Sequence, residues 1–129
     1  MENKIILEDI NIAPLLKAYS TFEKGLNSAK SQLEKDGVIQ RFEYTLELCW
    51  KTLRKILKHK GITANSPRDA FREAHLVGII EDTESWYTLL KKRNLASHTY
   101  NEETATEIFL ELHHANDLFE ELIKKISNL

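Results

Sequence analysis

The sequence predicts an all-α fold, an up-and-down four-helix bundle with an additional short helix. Apolar residues recur at spacings of three and four over four long stretches, as on the buried face of a helix. The 129 residues include only four glycines and two prolines, which leaves few places for turns. The connections between the periodic stretches are short, which favours antiparallel neighbours. Loops alone do not determine topology, so a three-helix array completed by an element exchanged with a partner is the alternative. No linker divides the chain, and we expect residues 1–129 to form a single domain.

Two long helices are expected in the first half of the chain. Pro14 suits the first turn of a helix, and an apolar stripe runs from Leu15 to Leu33. Lys35-Asp36-Gly37 is interpreted as the stop of this helix, with glycine just beyond its end. The second stripe runs from Ile39 to Ile56, and Lys58-His59-Lys60-Gly61 ends it. A second apolar line on the same helix makes its buried face unusually wide and comprises Leu46, Trp50, Leu53 and Leu57.

A short third helix begins at a clear capping signal. Ser66 is the expected N-cap, Pro67 the first helical residue, and Asp69 the acid three residues after the cap. The helix is expected to end near Gly78. It should lie across one end of the bundle, because it is too short to run its length.

Two further helices complete the prediction. The fourth helix is expected to start at Asp82 or Thr83, with an apolar stripe from Trp86 to Leu90 that continues to Arg93. The last helix has a regular stripe from Ala105 to Ile126.

Composition excludes several classes of protein. The formal net charge of −2 argues against a domain that coats nucleic acid non-specifically, although it permits an RNA substrate at one basic site. The single cysteine, Cys49, excludes an intramolecular disulfide and is typical of a reducing cytoplasm. We expect no signal peptide and no membrane span, since no apolar run approaches about 20 residues.

Arg93 is the first candidate for chemistry. Because it continues an apolar stripe, its guanidinium should point toward the bundle seam or its mouth, where it needs an anion or several acceptors. An ion pair with a glutamate such as Glu43 or Glu47 would satisfy it without any function.

The segment after Arg93 is predicted to break the helix. Thr99 with Glu102 resembles a capping box, and Asn101 is a competing N-cap. In an uninterrupted helix, five residues would leave His98 about 140° around the axis from Arg93. A break between Ala96 and Asn101 would instead let the two side chains converge.

An arginine, an imidazole and a helix N-terminus together suit a phosphodiester. Histidine transfers protons near neutral pH, and arginine binds non-bridging oxygens and stabilises added negative charge. The alternative for His98 is a capping or packing histidine. His113 and Asp117 have metal-ligand spacing, but two residues on a solvated face indicate no metal site, and we expect neither metal nor cofactor.

The motif Arg93-x4-His98-x-Tyr100 resembles the signature of the HEPN superfamily, specifically the HepT-like proteins that are paired with a minimal nucleotidyltransferase. Flanking segments resemble the same family, also known as nucleotidyltransferase substrate-binding proteins, and the similarity covers roughly residues 15–127. These segments are Asp36-Gly37-Val38-Ile39-Gln40-Arg41-Phe42-Glu43, Leu48-Cys49-Trp50-Lys51, Asn65-Ser66-Pro67-Arg68 and Arg93-Asn94-Leu95-Ala96-Ser97-His98-Thr99-Tyr100.

The resemblance implies a cytoplasmic, homodimeric helical bundle whose motif lies near the dimer cleft. It also implies a toxin that cuts RNA without a metal, with Arg93 binding the scissile phosphate and His98 acting as base or acid. Asn94 and Ser97, the polar residues within the motif, would contact the substrate. The wide apolar face of the second helix agrees with a dimer, because it exceeds what one four-helix core needs.

Tyr100 has a separate implied role as the residue that the partner nucleotidyltransferase adenylylates, which would silence the toxin. Alternatively, its hydroxyl only forms a hydrogen bond near the helix start. The chain lacks a Gly-Ser followed by a spaced Asp-x-Asp pair, so ATP and magnesium chemistry would belong to the partner. An older interpretation of the family is a non-catalytic subunit that holds the substrate of the nucleotidyltransferase, in which Arg93 and His98 bind an anion and break no bond.

Overall fold

The computed structural model describes residues 4–98 and 102–129 and confirms the predicted all-α bundle with one short helix. This part of the chain forms a two-stranded ribbon followed by five helices. They are β1 (Ile5–Ile6), β2 (Ile10–Asn11), α1 (Ala13–Ser28), α2 (Gln32–His59), α3 (Pro67–Leu76), α4 (Thr83–His98) and α5 (Glu102–Ile126). None of the helices in the described ranges is both long and apolar enough to cross a membrane.

Helix α2 lies at the centre of the bundle and contacts each of the other four helices. Its second apolar line is therefore buried within one chain: Leu46, Leu53 and Leu57 are fully buried, and Trp50 is 8% exposed. The wide face was expected to agree with a dimer, but its burial is explained within one chain and gives a second subunit no support. The surplus apolar surface covers α3 and α4 as well as α1 and α5.

Aromatic side chains fill the middle of the core. The ring of Phe119 on α5 lies 5.4 Å from Phe22, 6.2 Å from Phe42 and 6.1 Å from Trp86, measured between ring centroids. Phe71 stacks on Trp86 at 4.8 Å, which attaches α3 to the same cluster. One aromatic cluster thus joins all five helices and fixes where α4 lies relative to α2.

The boundary between the first two helices differs from the prediction. Helix α1 ends at Ser28, and α2 begins with a capping box in which the Ser31 side chain accepts from the Glu34 amide and the Glu34 side chain accepts from the Ser31 amide. Leu33, expected on the buried stripe of the first helix, is 82% exposed on α2. Gly37, expected to end the first helix, lies inside α2 with no neighbour close to where a Cβ would stand.

The capping signals later in the chain are confirmed. The Ser66 hydroxyl accepts a 3.1 Å hydrogen bond from the Asp69 amide, and Pro67 is the first residue of α3. Before α4, Asp82 accepts from the Ser85 amide at 3.2 Å and from the Ser85 hydroxyl at 2.6 Å. The caps proposed for the last helix, Thr99 and Asn101, lie outside the described residues.

The N-terminal ribbon was not predicted. Strands β1 and β2 pair antiparallel with Ile6 opposite Ile10, and both side chains join the main core together with Ile12. The turn between the strands places Leu7 (φ 48°) and Glu8 (φ 76°) in the left-handed region, which is costly for residues other than glycine. The burial of the three isoleucines compensates for this backbone strain.

Candidate functional site

Arg93 is fixed by an acid on the central helix. Its Nη1 atom lies 3.3 Å from Oε1 of Glu47 on α2, and its side chain is 24% exposed. The sequence left the partner open between Glu43 and Glu47, and the structure shows an ion pair with Glu47. An arginine that is paired but still open to solvent can also meet a ligand at the surface.

Glu47 serves three groups at once. Its Oε1 also accepts a 3.0 Å hydrogen bond from the indole N–H of Trp50, and its Oε2 lies 3.1 Å from the ammonium of Lys51. Burial alone would raise the pKa of Glu47, but the hydrogen bonds from Trp50 and Lys51 and the charges of Lys51 and Arg93 outweigh it and lower the pKa. Glu47 is therefore ionised at neutral pH and acts as a fixed anion beside Arg93.

A further cation completes this group. The guanidinium carbon of Arg54 lies 4.9 Å from the centre of the Trp50 ring, in a cation–π contact. We call Glu47, Trp50, Lys51, Arg54 and Arg93 the Glu47 cluster. Most residues of this cluster were not predicted from the sequence, although positions 47, 50, 51 and 54 have the i, i+3, i+4, i+7 spacing that predicts one helix face.

The expected convergence of Arg93 and His98 across a helix break is wrong in its geometry. Helix α4 runs without interruption from Thr83 to His98, and the rest of the predicted break, residues 99–101, lies outside the described residues. Positions 93 and 98 are therefore about 140° apart around the helix axis. Within one chain, the backbone does not place them on a common face.

The remaining motif residues are only partly defined by the structure. Asn94 is exposed on α4. Position 97 follows position 93 by four residues, and position 98 follows position 94 by four, so each pair shares a helix face. Tyr100 lies outside the described residues.

Helices α4 and α5 are joined next to the motif by an ion pair. The Lys92 ammonium lies 2.7 Å from Oε1 of Glu107, and the Lys92 side chain is only 18% exposed. Lys91 is exposed on the neighbouring face of α4. Of the basic triplet 91–93, two residues are thus paired with acids on other helices and one faces solvent.

Two arginines outside the motif, Arg68 and Arg72, are engaged elsewhere. Arg68 lies over the ring of Tyr87 at 4.0 Å, and Arg72 pairs with Asp69 at 3.3 Å. Arg41 is exposed on α2. Neither Arg68 nor Arg72 belongs to the Glu47 cluster.

Among the described residues, the other reactive side chains form no second centre. Cys49 is fully buried, and burial raises the pKa of its thiol well above the usual range, which makes it an inert core residue. The Nδ1 atom of His75 lies 3.1 Å from the Ile80 carbonyl oxygen beyond the end of α3. Among the described residues no three potential ligands gather for a metal ion, so His113 and Asp117 form no such site there.

The fold and the cluster define a helical-bundle protein that presents a paired, partly exposed arginine near the end of its fourth helix. Residues 10–128 match the family of nucleotidyltransferase substrate-binding protein-like sequences. The chain belongs to this family, which confirms the resemblance drawn from the motif and its flanking segments.

Individual relatives agree with this assignment. The chain is 32% identical over 81 residues to a probable ribonuclease HepT of Haemophilus influenzae, a match that spans 59% of this chain and 56% of the relative's length. The crystal structure of a Thermus thermophilus protein superimposes with a TM-score of 0.82 at 34% identity, covering 87% of this chain and 98% of that one. HI0074 of H. influenzae, described as revealing the fold of a substrate-binding domain of a nucleotidyltransferase, superimposes with a TM-score of 0.78. Its identity of 24%, over 90% of this chain and 98% of HI0074, supports the fold alone.

Proposed function

We propose that this protein is a HepT-type endoribonuclease that cuts RNA without a metal and acts as the toxin of a pair with a minimal nucleotidyltransferase. The observation that carries the proposal is the position of Arg93, which is anchored by Glu47 yet remains 24% exposed in a member of this family. An anchored guanidinium at the surface suits a phosphate diester, because it binds two oxygens with little loss of side-chain freedom.

The proposed reaction uses the ribose 2′-hydroxyl as the nucleophile. The 2′-oxygen attacks the adjacent phosphorus and loses its proton, the bond to the 5′-oxygen breaks, and that oxygen gains a proton. The products are a 2′,3′-cyclic phosphate and a 5′-hydroxyl. His98 moves a proton in this reaction, and Arg93 stabilises the charge that develops on the non-bridging oxygens. Asn94 and Ser97 contact the substrate beside them.

A homodimer would supply what one chain lacks. Positions 93 and 98 occupy different faces of α4 within a protomer, and one imidazole serves poorly as both base and acid. Two exposed leucines flank the Lys92–Glu107 pair and offer apolar contact area: Leu95 (42% exposed) lies one turn beyond Lys92, and Leu110 (73% exposed) lies one turn beyond Glu107. Light scattering at increasing protein concentration tests this, and Leu95→Glu with Leu110→Glu should shift the mass from dimer to monomer.

Digestion of RNA in EDTA tests the nuclease. We expect wild-type protein to leave 2′,3′-cyclic phosphate ends, and His98→Ala and Arg93→Gln to lower cleavage by about a hundredfold or more. His113 lies on α5 and outside the motif. His113→Ala is therefore the matched histidine control and should cleave RNA as the wild-type protein does. If wild type and His98→Ala leave the same background, the nuclease proposal fails.

Tyr100 is the proposed site at which a nucleotidyltransferase partner adds adenylate. Attack of the phenol on the α-phosphate of ATP releases pyrophosphate and leaves a bulky anion next to the RNA site. Incubation with a minimal nucleotidyltransferase, ATP and Mg²⁺ should increase the mass by one adenylate group. A mass increase that persists in Tyr100→Phe would refute this assignment.

The second candidate function is a non-catalytic subunit that binds the substrate of a nucleotidyltransferase. The description of the family favours it, since that description names substrate binding and no bond cleavage. In this case the Glu47 cluster holds an anionic substrate, and wild-type protein leaves RNA intact in the EDTA assay. The two functions therefore give opposite results in one experiment.

A further inference from the structure

Positive charge is concentrated in one segment of the chain. Residues 48–68 hold six of the eighteen lysines and arginines and none of the twenty acidic residues. The other 108 residues, with twelve basic and twenty acidic side chains, have a formal net charge of −8. The overall charge of −2 therefore hides a strongly polarised molecule.

Helix α2 arranges most of this charge on one face. Four cations follow the i, i+3, i+4, i+7 pattern, which places them in a line about 10 Å long. All four are exposed, and we call them the basic stripe: Lys51, Arg54, Lys55 and Lys58.

Ordinary helix electrostatics explain only part of the stripe. Cations in the last turn of a helix complement its dipole, and Lys58 is in that turn. Lys51, Arg54 and Lys55 precede it by one to two turns, where the dipole effect has faded. Solvated helix faces usually mix charges in i,i+4 pairs, as Glu120 and Lys124 do on α5. Among the described residues, Arg54, Lys55 and Lys58 form no ion pair.

The stripe is continuous with the Glu47 cluster. Lys51 belongs to both, because Glu47 bridges its ammonium to the Arg93 guanidinium at 3.1 Å and 3.3 Å. Arg54 is ordered by its contact with the Trp50 ring. A line of cations thus begins beside the proposed scissile-phosphate site and follows α2 away from it.

We propose that the basic stripe is a docking surface for the phosphate backbone of single-stranded RNA and leads the strand to Arg93. This inference rests on the proposed function. Regularly spaced cations, of which only Lys51 is paired with an acid among the described residues, suit a polyanion, because neutralising each phosphate releases condensed counterions. A single strand fits the chemistry, since in-line attack by a 2′-hydroxyl needs a backbone free of duplex constraints. Backbone contacts of this kind give affinity without sequence preference.

Fluorescence anisotropy of a labelled RNA measures how much the basic stripe contributes to RNA binding. The probe is an unstructured 20-nucleotide oligouridylate in EDTA, and all proteins carry His98→Ala so that the probe stays intact. The stripe variant replaces all four cations by glutamine, a good helix former. The control variant makes the same change in charge at four exposed lysines on α1 and α5, namely Lys17, Lys24, Lys124 and Lys125.

Salt dependence separates the outcomes. Single strands lose about 0.7 units of slope in log K against log salt for each phosphate no longer neutralised, so we expect the stripe variant to lose about two to three units. Its affinity at 0.1 M salt should fall at least tenfold, whereas the control should stay within about twofold of the parent. Circular dichroism and urea midpoints verify that both variants are folded.

Two results would refute the proposed role of the basic stripe in RNA binding. Unchanged slope and affinity in the stripe variant would refute it and would indicate an acidic protein partner for this face instead. An equal loss in the control would show that net charge alone governs binding. Cleavage of RNA by the wild-type protein is measured in parallel. If the wild-type protein cleaves RNA but the stripe variant binds it as well as the parent does, only the role of the stripe is refuted. If the wild-type protein neither cleaves nor binds RNA, the proposed function is refuted as well.

Discussion

The anchoring of Arg93 by Glu47 can be tested by replacing Glu47 with glutamine. Glutamine keeps the shape and one carbonyl acceptor for the Trp50 indole N–H, but it removes the charge that pairs with Lys51 and Arg93. The exposed fractions of the side chains are 37% for Glu47, 47% for Lys51 and 24% for Arg93, so solvent weakens both pairs. At about 0–1 kcal/mol for each pair of this kind, Glu47→Gln should lower the free energy of unfolding by about 0.5–1.5 kcal/mol.

A double-mutant cycle isolates the contact that matters for the site. Glu47→Gln, Arg93→Gln and the double variant are unfolded in urea at low salt. The interaction between the two side chains should amount to about 0.5–1 kcal/mol. Glu120→Gln is the matched control, because its partner Lys124 lies 3.9 Å away on an exposed surface, and we expect almost no change.

The pH dependence gives an independent check on the same carboxylate. The folded state lowers the pKa of Glu47, so its contribution is fully present above the unfolded pKa of about 4.3 and is lost as pH falls through the folded value. The difference in unfolding free energy between wild type and Glu47→Gln should be constant from about pH 7 to pH 5, and it should shrink as the pH falls below the unfolded pKa and through the lower folded pKa. A coupling energy near zero, or a gap that persists in acid, would refute the anchoring role.

Four further changes test the fold. Ser31→Ala should cost about 1 kcal/mol in the urea midpoint by removing the cap of α2, and an unchanged midpoint would contradict the capping box. Phe119→Ala should cost about 3–5 kcal/mol, because the ring is fully buried among three others; a loss under 1 kcal/mol would place it outside the core. Leu33→Gln should change the free energy of unfolding by no more than about 0.5 kcal/mol, because Leu33 is exposed; a large loss would indicate that Leu33 is buried, as the sequence predicted. Glu8→Gly should be neutral or stabilising by up to about 1 kcal/mol in thermal unfolding, since glycine relieves the positive φ; marked destabilisation would argue against this turn.

Helix starts that depend on a capping side chain were predicted well from the sequence. The start of α3 depends on Ser66 and Pro67, and the start of α4 depends on Asp82, which are side chains that bond to the adjacent backbone. The boundary between α1 and α2 was wrong because the apolar period continues from Leu26 through Ala29 to Leu33, across the real break. Apolar periodicity does not reveal a turn when the same spacing continues on both sides of it. The two-residue strands were missed because Leu7 and Glu8 are not turn residues, so burial and not turn chemistry determines the ribbon.

The sequence led to Arg93 but not to the geometry of the Glu47 cluster around it. The motif led to Arg93, and its charge required an acid, which the structure identifies as Glu47. Glu47 lies 46 positions earlier in the chain, and one sequence does not reveal which residues so far apart come into contact. Helix α4 contains both Arg93 and His98, which the sequence did not reveal because capping signals indicate where a helix can begin and not how far the preceding helix extends.

The central position of α2 has a consequence for how the site opens in time. Amide protons of a helix that contacts every other helix exchange with solvent chiefly when the whole domain unfolds. Glu47 lies on this helix, so the acid that pairs with Arg93 belongs to the element that we expect to open last. Hydrogen exchange should therefore be slowest along α2 around Glu47, which would give the proposed RNA site one side that stays in place as long as the domain is folded.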